Sequence, residues 1–173
     1  MTYPFTSDDS NVYIVPIHPE YHTELFPDSV LRTESPLDFV ENQPYRNALK
    51  KVYNSRSWER GMQPGDLIVF YRTGSIYTGV VTTVGVVESV VTEIPDVDTF
   101  VAQCRKRSVF TDEELREHWY YSVQHPFIVN FLYVGSFGRR PILKWLNEKK
   151  IIPDIANMPR GFRKLAGKIL LLL

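Results

Sequence analysis

Short β-branched and aromatic runs, separated by turn residues, set the rhythm of this chain. Val12-Tyr13-Ile14-Val15-Pro16-Ile17 reads as a strand. Leu67-Ile68-Val69-Phe70-Tyr71 is an unbroken apolar run after a turn, the pattern of a strand buried on both faces. Thr78 to Val90 reads as a longer strand, in which glycines mark bulges or close backbone approach. Phe127 to Val134 is a further buried strand. Between them the pattern predicts helices. Asn47 to Tyr53 fits a short one, and Asp96 to Arg107 fits another with Asp96 as N-cap. Thr111 with Glu114 three residues on matches a capping box. Pro141 suits the first turn of a helix running to about Glu148. His18 to Gln43, rich in Pro, Ser and acidic residues, reads as a long loop, and the end of the chain from Pro159 holds a basic cluster and a last apolar element. Strands at the centre with helices inserted between them make an α+β organisation around a small, mostly antiparallel sheet or barrel.

Within that pattern Gln63-Pro64-Gly65-Asp66 is the sharpest local signal. Proline presets φ and glycine accepts the positive φ that follows, which is the chemistry of a type II turn.

Size and composition narrow the class. At 173 residues the chain fits one domain, expected over 11–173 behind a flexible tail over 1–10. Cys104 is the single cysteine, so no intramolecular disulfide or multi-cysteine zinc site is available, and a reducing, cytoplasmic location is expected. No apolar run approaches the roughly 20 residues of a membrane helix. Net charge is zero but uneven: up to Glu41 there are eight acidic residues against Arg32, and from Asn42 onward 19 basic residues face 12 acidic ones. A basic body is compatible with a polyanionic partner. His18 and His22 are four apart, but Pro19 argues against a helix that would align them, and no serine-nucleophile motif is present. Neither a metal nor a cofactor is expected.

The block Ser55-Arg56-Ser57-Trp58-Glu59-Arg60-Gly61-Met62-Gln63-Pro64-Gly65-Asp66-Leu67-Ile68-Val69-Phe70-Tyr71-Arg72 resembles the heart of EVE domains. There, a basic and polar segment leads to a Gly-Asp turn and a strand ending in Phe-Tyr. Val80 to Glu88 is similar to the next EVE strand, and Phe127 to Tyr133 with Arg140-Pro141-Ile142-Leu143 is similar to the later strand and its proline-led helix. From Asn11 onward the chain is also similar to the PUA-like module found behind GNAT-type acetyltransferase domains, although no acetyltransferase phosphate loop is present. The resemblance to EVE, ASCH and related domains implies a PUA-like barrel with flanking helices. In the better understood members that barrel binds RNA or DNA bases, often modified. The chain departs from the EVE pattern in its long acidic N-terminal segment and in the stretch between about Glu93 and Trp119.

A module that reads a base needs aromatic faces, a few polar atoms for the base edge and cations for the flanking phosphates. Ser55, Arg56, Trp58, Tyr71, Arg72, Thr83, Trp119 and Asn130 are the candidate ligand-binding residues. Trp58 sits in a polar segment, Tyr71 and Arg72 end a strand, Trp119 opens an aromatic triplet, and Asn130 interrupts an apolar strand. Arg60, Arg105, Lys106, Arg107, Arg139 and Arg140 are the phosphate candidates, through the bidentate fork of arginine. Two other readings stand beside this one. Some ASCH-like relatives are hydrolases acting on acylated nucleosides or RNA, and Lys50 or Lys51, Thr83 and Glu88 could fill such roles. The acidic N-terminal segment could instead contact a protein partner such as an acetyltransferase or a toxin.

Overall fold

A computed structural model describes residues 10–26, 49–105, 107–152 and 161–165. Its strands are β1 (Val12–Ile17), β2 (Lys50–Ser55), β3 (Leu67–Arg72), β4 (Val80–Val91), β5 (Phe127–Ser136) and β6 (Arg163–Leu165). Its helices are α1 (Pro19–Leu25), α2 (Val97–Cys104), α3 (Asp112–Tyr120) and α4 (Leu143–Glu148). The strands form one mixed sheet in the order β2-β5-β4-β3-β1-β6. β1 and β3 run parallel, and the other neighbours are antiparallel.

Register shifts at Phe70/Tyr71, Val84/Gly85 and Val87/Ser89 interrupt the central ladders. Such bulges bend a strand and sharpen its twist. The sheet curls until its ends approach. The Phe162 N–H, just ahead of β6, donates to Ser57 Oγ, just beyond β2, at 3.0 Å. Tyr53 Oη of β2 donates to the Pro16 carbonyl of β1 at 2.7 Å.

The alternation of side chains along the strands divides the core. Inside the curl, Phe26, Phe70 and Phe131 meet with ring centroids 4.7 and 5.0 Å apart, and Phe162 packs on Tyr53 and Phe127. On one outer face Val69, Tyr71 and Val81 lie in a cluster with Leu143 and Leu146 of α4. On another, Val52 and Ile128 meet Phe100, Leu115 and Trp119 of α2 and α3. β3 is therefore buried on both faces, which accounts for its continuous apolar run.

The Gly-Asp turn is a clamp. Gly65 has φ +91°, the left-handed region expected of it. The buried Asp66 accepts from Asn11 N–H at 3.0 Å and Gln63 N–H at 2.8 Å, one oxygen each. Its backbone joins the turn to Val87 of β4. The segment most telling in the sequence thus ties the start of β1 to the turn.

Two expectations give way. The helix expected over Asn47 to Tyr53 gives way from Lys50 onward to a strand: Lys50–Ser55 pairs antiparallel with β5, and burial of Val52 against α2 and α3 favours it, while Asn47 and Ala48 lie outside the described residues. Part of the expected loop after His18 is α1, with Pro19 in the first turn, where its missing N–H costs nothing. The rest of that loop lies outside the described residues. Elsewhere pattern and structure agree. Asp96 caps α2 through Thr99 N–H at 2.7 Å. Thr111 and Glu114 form the reciprocal capping box of α3. α4 starts slightly later than expected, with Ile142 as its N-cap.

A Cβ added at Gly79 would collide with Tyr71 Oη and stand 2.9 Å from Cζ. Tyr71 Oη is buried without a hydrogen-bond partner among the described residues. Gly79→Ala is therefore expected to lower stability by about 1–3 kcal/mol. Tyr71→Phe, which removes an unsatisfied hydroxyl, should be neutral or stabilising, and the double variant should recover part of the loss. Urea unfolding of the four proteins checks this; additive effects would contradict the contact.

Candidate functional site

Where the sheet closes on itself, the seam leaves a cavity of about 290 Å3. One wall is the end of β1 and the start of α1: Pro16, Ile17, His18, Tyr21 and Leu25. The facing wall is the outer half of β2, Val52 to Arg56. Ser108, Val109 and Phe110 ahead of α3, His118 within it, and Pro126 complete the lining. The volume sits at the low end of ligand pockets, which run to roughly 300–1,000 Å3, and suits a single small ring system.

The walls are largely aromatic and aliphatic, with a few polar groups that converge. Tyr21 and Phe110 meet edge to face at 4.6 Å, and Phe110 meets the His118 ring at 4.4 Å. Asn54 Nδ2 donates to His118 Nδ1 at 3.3 Å, which puts the ring proton on Nε2. Burial and then the Arg56 charge hold the His118 pKa below its ordinary value, so the ring is neutral at pH 7. Burial pushes the Tyr21 phenol up, with Glu114 and Glu20 adding to it, and burial alone pushes Tyr53 up. Both stay protonated; Tyr53 gives its proton to the Pro16 carbonyl, and Tyr21 keeps a phenol able to donate.

Arg56 is the cation of the site. Its guanidinium lies over the Tyr121 ring, 5.0 Å from the centroid. Burial lowers its pKa, the only depressing influence on it. Nε and Nη2 are both out of solvent contact and have no hydrogen-bond partner among the described residues.

Of the sequence candidates, Ser55 and Arg56 line this cavity. Trp58 lies two residues further on and is 87% exposed. The remaining ligand candidates fall elsewhere. Tyr71 is in the core beneath α4, and Trp119 is in the core of α2 and α3, stacked on His125 at 4.1 Å. Asn130 donates to Ser89 Oγ at 3.0 Å on an outer face. Arg72 and the buried Thr83 belong to a second polar cluster at the far end of β3 and β4. There His22 Nε2 and Thr82 Oγ1 are 2.7 Å apart, and Thr82 and Thr83 hydroxyls 3.1 Å apart.

The phosphate candidates are scattered. Arg60 donates to the His125 carbonyl at 3.1 Å and covers the Phe127 ring, and Arg105 pairs with Asp112 at 2.6 Å. Arg107 is exposed, and Lys106 lies outside the described residues. Arg139 and Arg140 border a shallower depression of about 450 Å3 beside α4. Of the residues considered for hydrolysis, Glu88 pairs at the surface with Lys50 at 2.6 Å, whereas Lys51 is 2% exposed with its ammonium 5.9 Å from the Phe26 ring. Lys50 and Glu88 thus face solvent, whereas Lys51 and Thr83 are buried.

Sequence reasoning missed Asn54, His118, Tyr21 and Phe110. One signal was available: His118 is three residues after Leu115 in α3, on the face that the helix buries.

A curled mixed sheet, its interior filled with rings and its outer faces covered by helices, is the PUA-like α+β barrel. The resemblance to ASCH- and EVE-type domains holds at the level of fold. The ASCH protein of Zymomonas mobilis, in a serine-to-alanine variant, superposes with a TM-score of 0.63 at 16% identity, over 95% of this chain and 97% of that one. A tyrosine-to-phenylalanine variant of the same protein gives 0.61 at 16% identity, over 94% and 97%. Human THYN1, solved with DNA containing 5-methylcytosine, gives 0.52 at 12% identity, over 94% and 95%. No protein-family model matches the chain, and no curated protein matches it significantly. No helix among the described residues is long and apolar enough to cross a membrane.

The second cluster gives the fold an acid sensitivity. Burial first, and then the charges of Arg72 and Arg140, push the His22 pKa down to about 3. A histidine depressed on folding favours the native state above its ordinary pKa near 6.5, and that contribution fades as pH falls toward 3. Wild-type stability should therefore decline below about pH 6 by up to roughly 1.4 kcal/mol per pH unit. His22→Gln, which keeps a donor toward Thr82, should flatten the decline. Denaturant melts across this range decide it, and identical slopes would remove His22 from the account.

Proposed function

We propose that this chain is a nucleic-acid-binding module that takes a single base, plain or modified, into the seam cavity. The observation that carries the reading is the cavity itself: aromatic and aliphatic walls of base size, with the polar residues Asn54, Ser55, Arg56 and His118 in its lining. Recognition of this kind extrudes a base from its stack, holds it between apolar faces and reads its edge by hydrogen bonds. Trp58, exposed beside the rim at the end of β2, would stack a neighbouring base. Arg107 and Arg139, both exposed, are available to phosphates. The human THYN1 structure, which shares the fold and holds DNA, supports the same class of ligand.

The reading has direct consequences. Short single-stranded oligonucleotides should quench the intrinsic tryptophan fluorescence saturably, and affinity should fall with salt. Trp58→Ala should weaken binding about five- to 150-fold, the worth of one stacked base, without loss of stability because the side chain is exposed. Val109→Trp, which fills the cavity, should abolish base-dependent discrimination. Unchanged affinity in both variants would dismiss the seam as the binding site.

One observation favours a second reading, hydrolysis of an acylated nucleoside: Lys51 is a buried lysine on the inner side of β2, near the end of α1. A buried lysine is a candidate general base. Release of acetate from N4-acetylcytidine, lost in Lys51→Met, would establish it. No release at high protein concentration would end it.

A further inference from the structure

The base-reading proposal leaves open which base the cavity prefers, and the unpartnered side of Arg56 bears on that choice. Nε and Nη2 lie along one edge of the guanidinium, and their N–H bonds run parallel, as a fork. Both atoms are buried and neither is bonded to a described residue. A half-buried cation whose fork is out of solvent contact and unbonded is an unfavourable arrangement that a ligand with two adjacent acceptor oxygens would relieve.

The surroundings indicate the sign of that ligand. Tyr121 and His118 are titratable groups acting on Arg56, and neither brings a carboxylate to the fork. The nearest carboxylate acting on the site, Glu114, is held away by the α3 capping box, where it accepts from Thr111 N–H at 2.8 Å. Glu117, which also acts on His118, is an exposed residue of α3. Among the described residues no acidic side chain lines the cavity to pair with Arg56. A neutral base would leave the guanidinium charge uncompensated, whereas a carboxylate would both neutralise it and fill the fork. The ring that carries the carboxylate would rest against Tyr21, Tyr53 and Phe110. The exposed Tyr121 ring, 81% accessible on the guanidinium face, has room to shift as the ligand engages.

We infer that the seam cavity prefers a planar ring bearing a carboxylate, with the carboxylate held bidentate by Nε and Nη2 of Arg56. This rests on the base-reading proposal for its biological source, a carboxylated pyrimidine within an oligonucleotide, while the same chemistry is offered by the free base.

The test compares short single-stranded DNA carrying one 5-carboxycytosine, 5-methylcytosine or cytosine, by fluorescence titration, with free 5-carboxycytosine titrated separately by calorimetry. The carboxylated oligonucleotide should bind about tenfold tighter or more than the other two. Arg56→Met, which keeps the apolar stem, should erase the preference, and Arg56→Lys, which keeps the charge without the fork, should retain only part of it. Should the methionine variant fail to fold, the lysine variant carries the comparison. Equal affinity for the three oligonucleotides, or a preference that survives removal of the guanidinium, overturns the inference while leaving base reading intact. Arg56-dependent binding of the free base without binding of any oligonucleotide supports the inference and removes the nucleic-acid reading. Binding of neither overturns both.

Discussion

The constraint on which the rest depends is the filling of the curled sheet by aromatic rings. Phe26, Phe70 and Phe131 meet at its centre, and Phe127, Tyr53 and Phe162 close it toward the seam. Each ring removes a large apolar area from water, and tilted contacts add to that burial. Beside this packed interior lies the line where β2 comes round to β1. There the ladder is replaced by side-chain bonds from Tyr53 and Ser57, and a cavity remains beneath α1 and α3.

Two polar clusters lie on opposite sides of this filled interior, and they differ in kind. The cluster of His22, Thr82 and Thr83 is buried and hydrogen-bonded within itself, and its burial keeps the histidine neutral far into acid. It sets a condition on stability. The seam cluster is only partly satisfied: Asn54 and His118 hold each other, but the Arg56 fork is left without a protein partner. Buried polar groups are ordinarily paired, so an unpaired one beside a cavity supports the proposal that a ligand binds there. That contrast directs the functional reading to the seam.

Much of the fold was legible in the chain. The apolar run of β3, the glycine-marked length of β4 and both caps of the middle helices stand in the structure as read, because each depends on local chemistry. The strand β2 was misread because its partner residues in β5 are 72 to 82 positions away in sequence, from Ser55↔Phe127 to Lys50↔Leu132, and only that pairing overrides the local helical pattern. Trp119 and Tyr71 looked functional from their neighbours, yet the packing of helices onto outer faces puts both in the core. Arg56 was visible as one cation of a polar segment. That its fork is buried and empty depends on α3 and the turn beyond it, which no window of sequence around position 56 contains. The Gly-Asp turn is the instructive case: the motif most useful for recognising the fold serves the architecture, through the two backbone donors gathered by Asp66.

The most direct test of the seam as the ligand site is a map of amide chemical-shift changes on titration with a short single-stranded oligonucleotide. The account predicts that the largest changes centre on the end of β2 around Asn54 to Trp58, on Val109 and Phe110, and on His118 to Tyr121. Changes centred instead on His22, Arg72, Thr82 and Thr83, with the seam unmoved, would contradict it and transfer the function to the other side of the barrel.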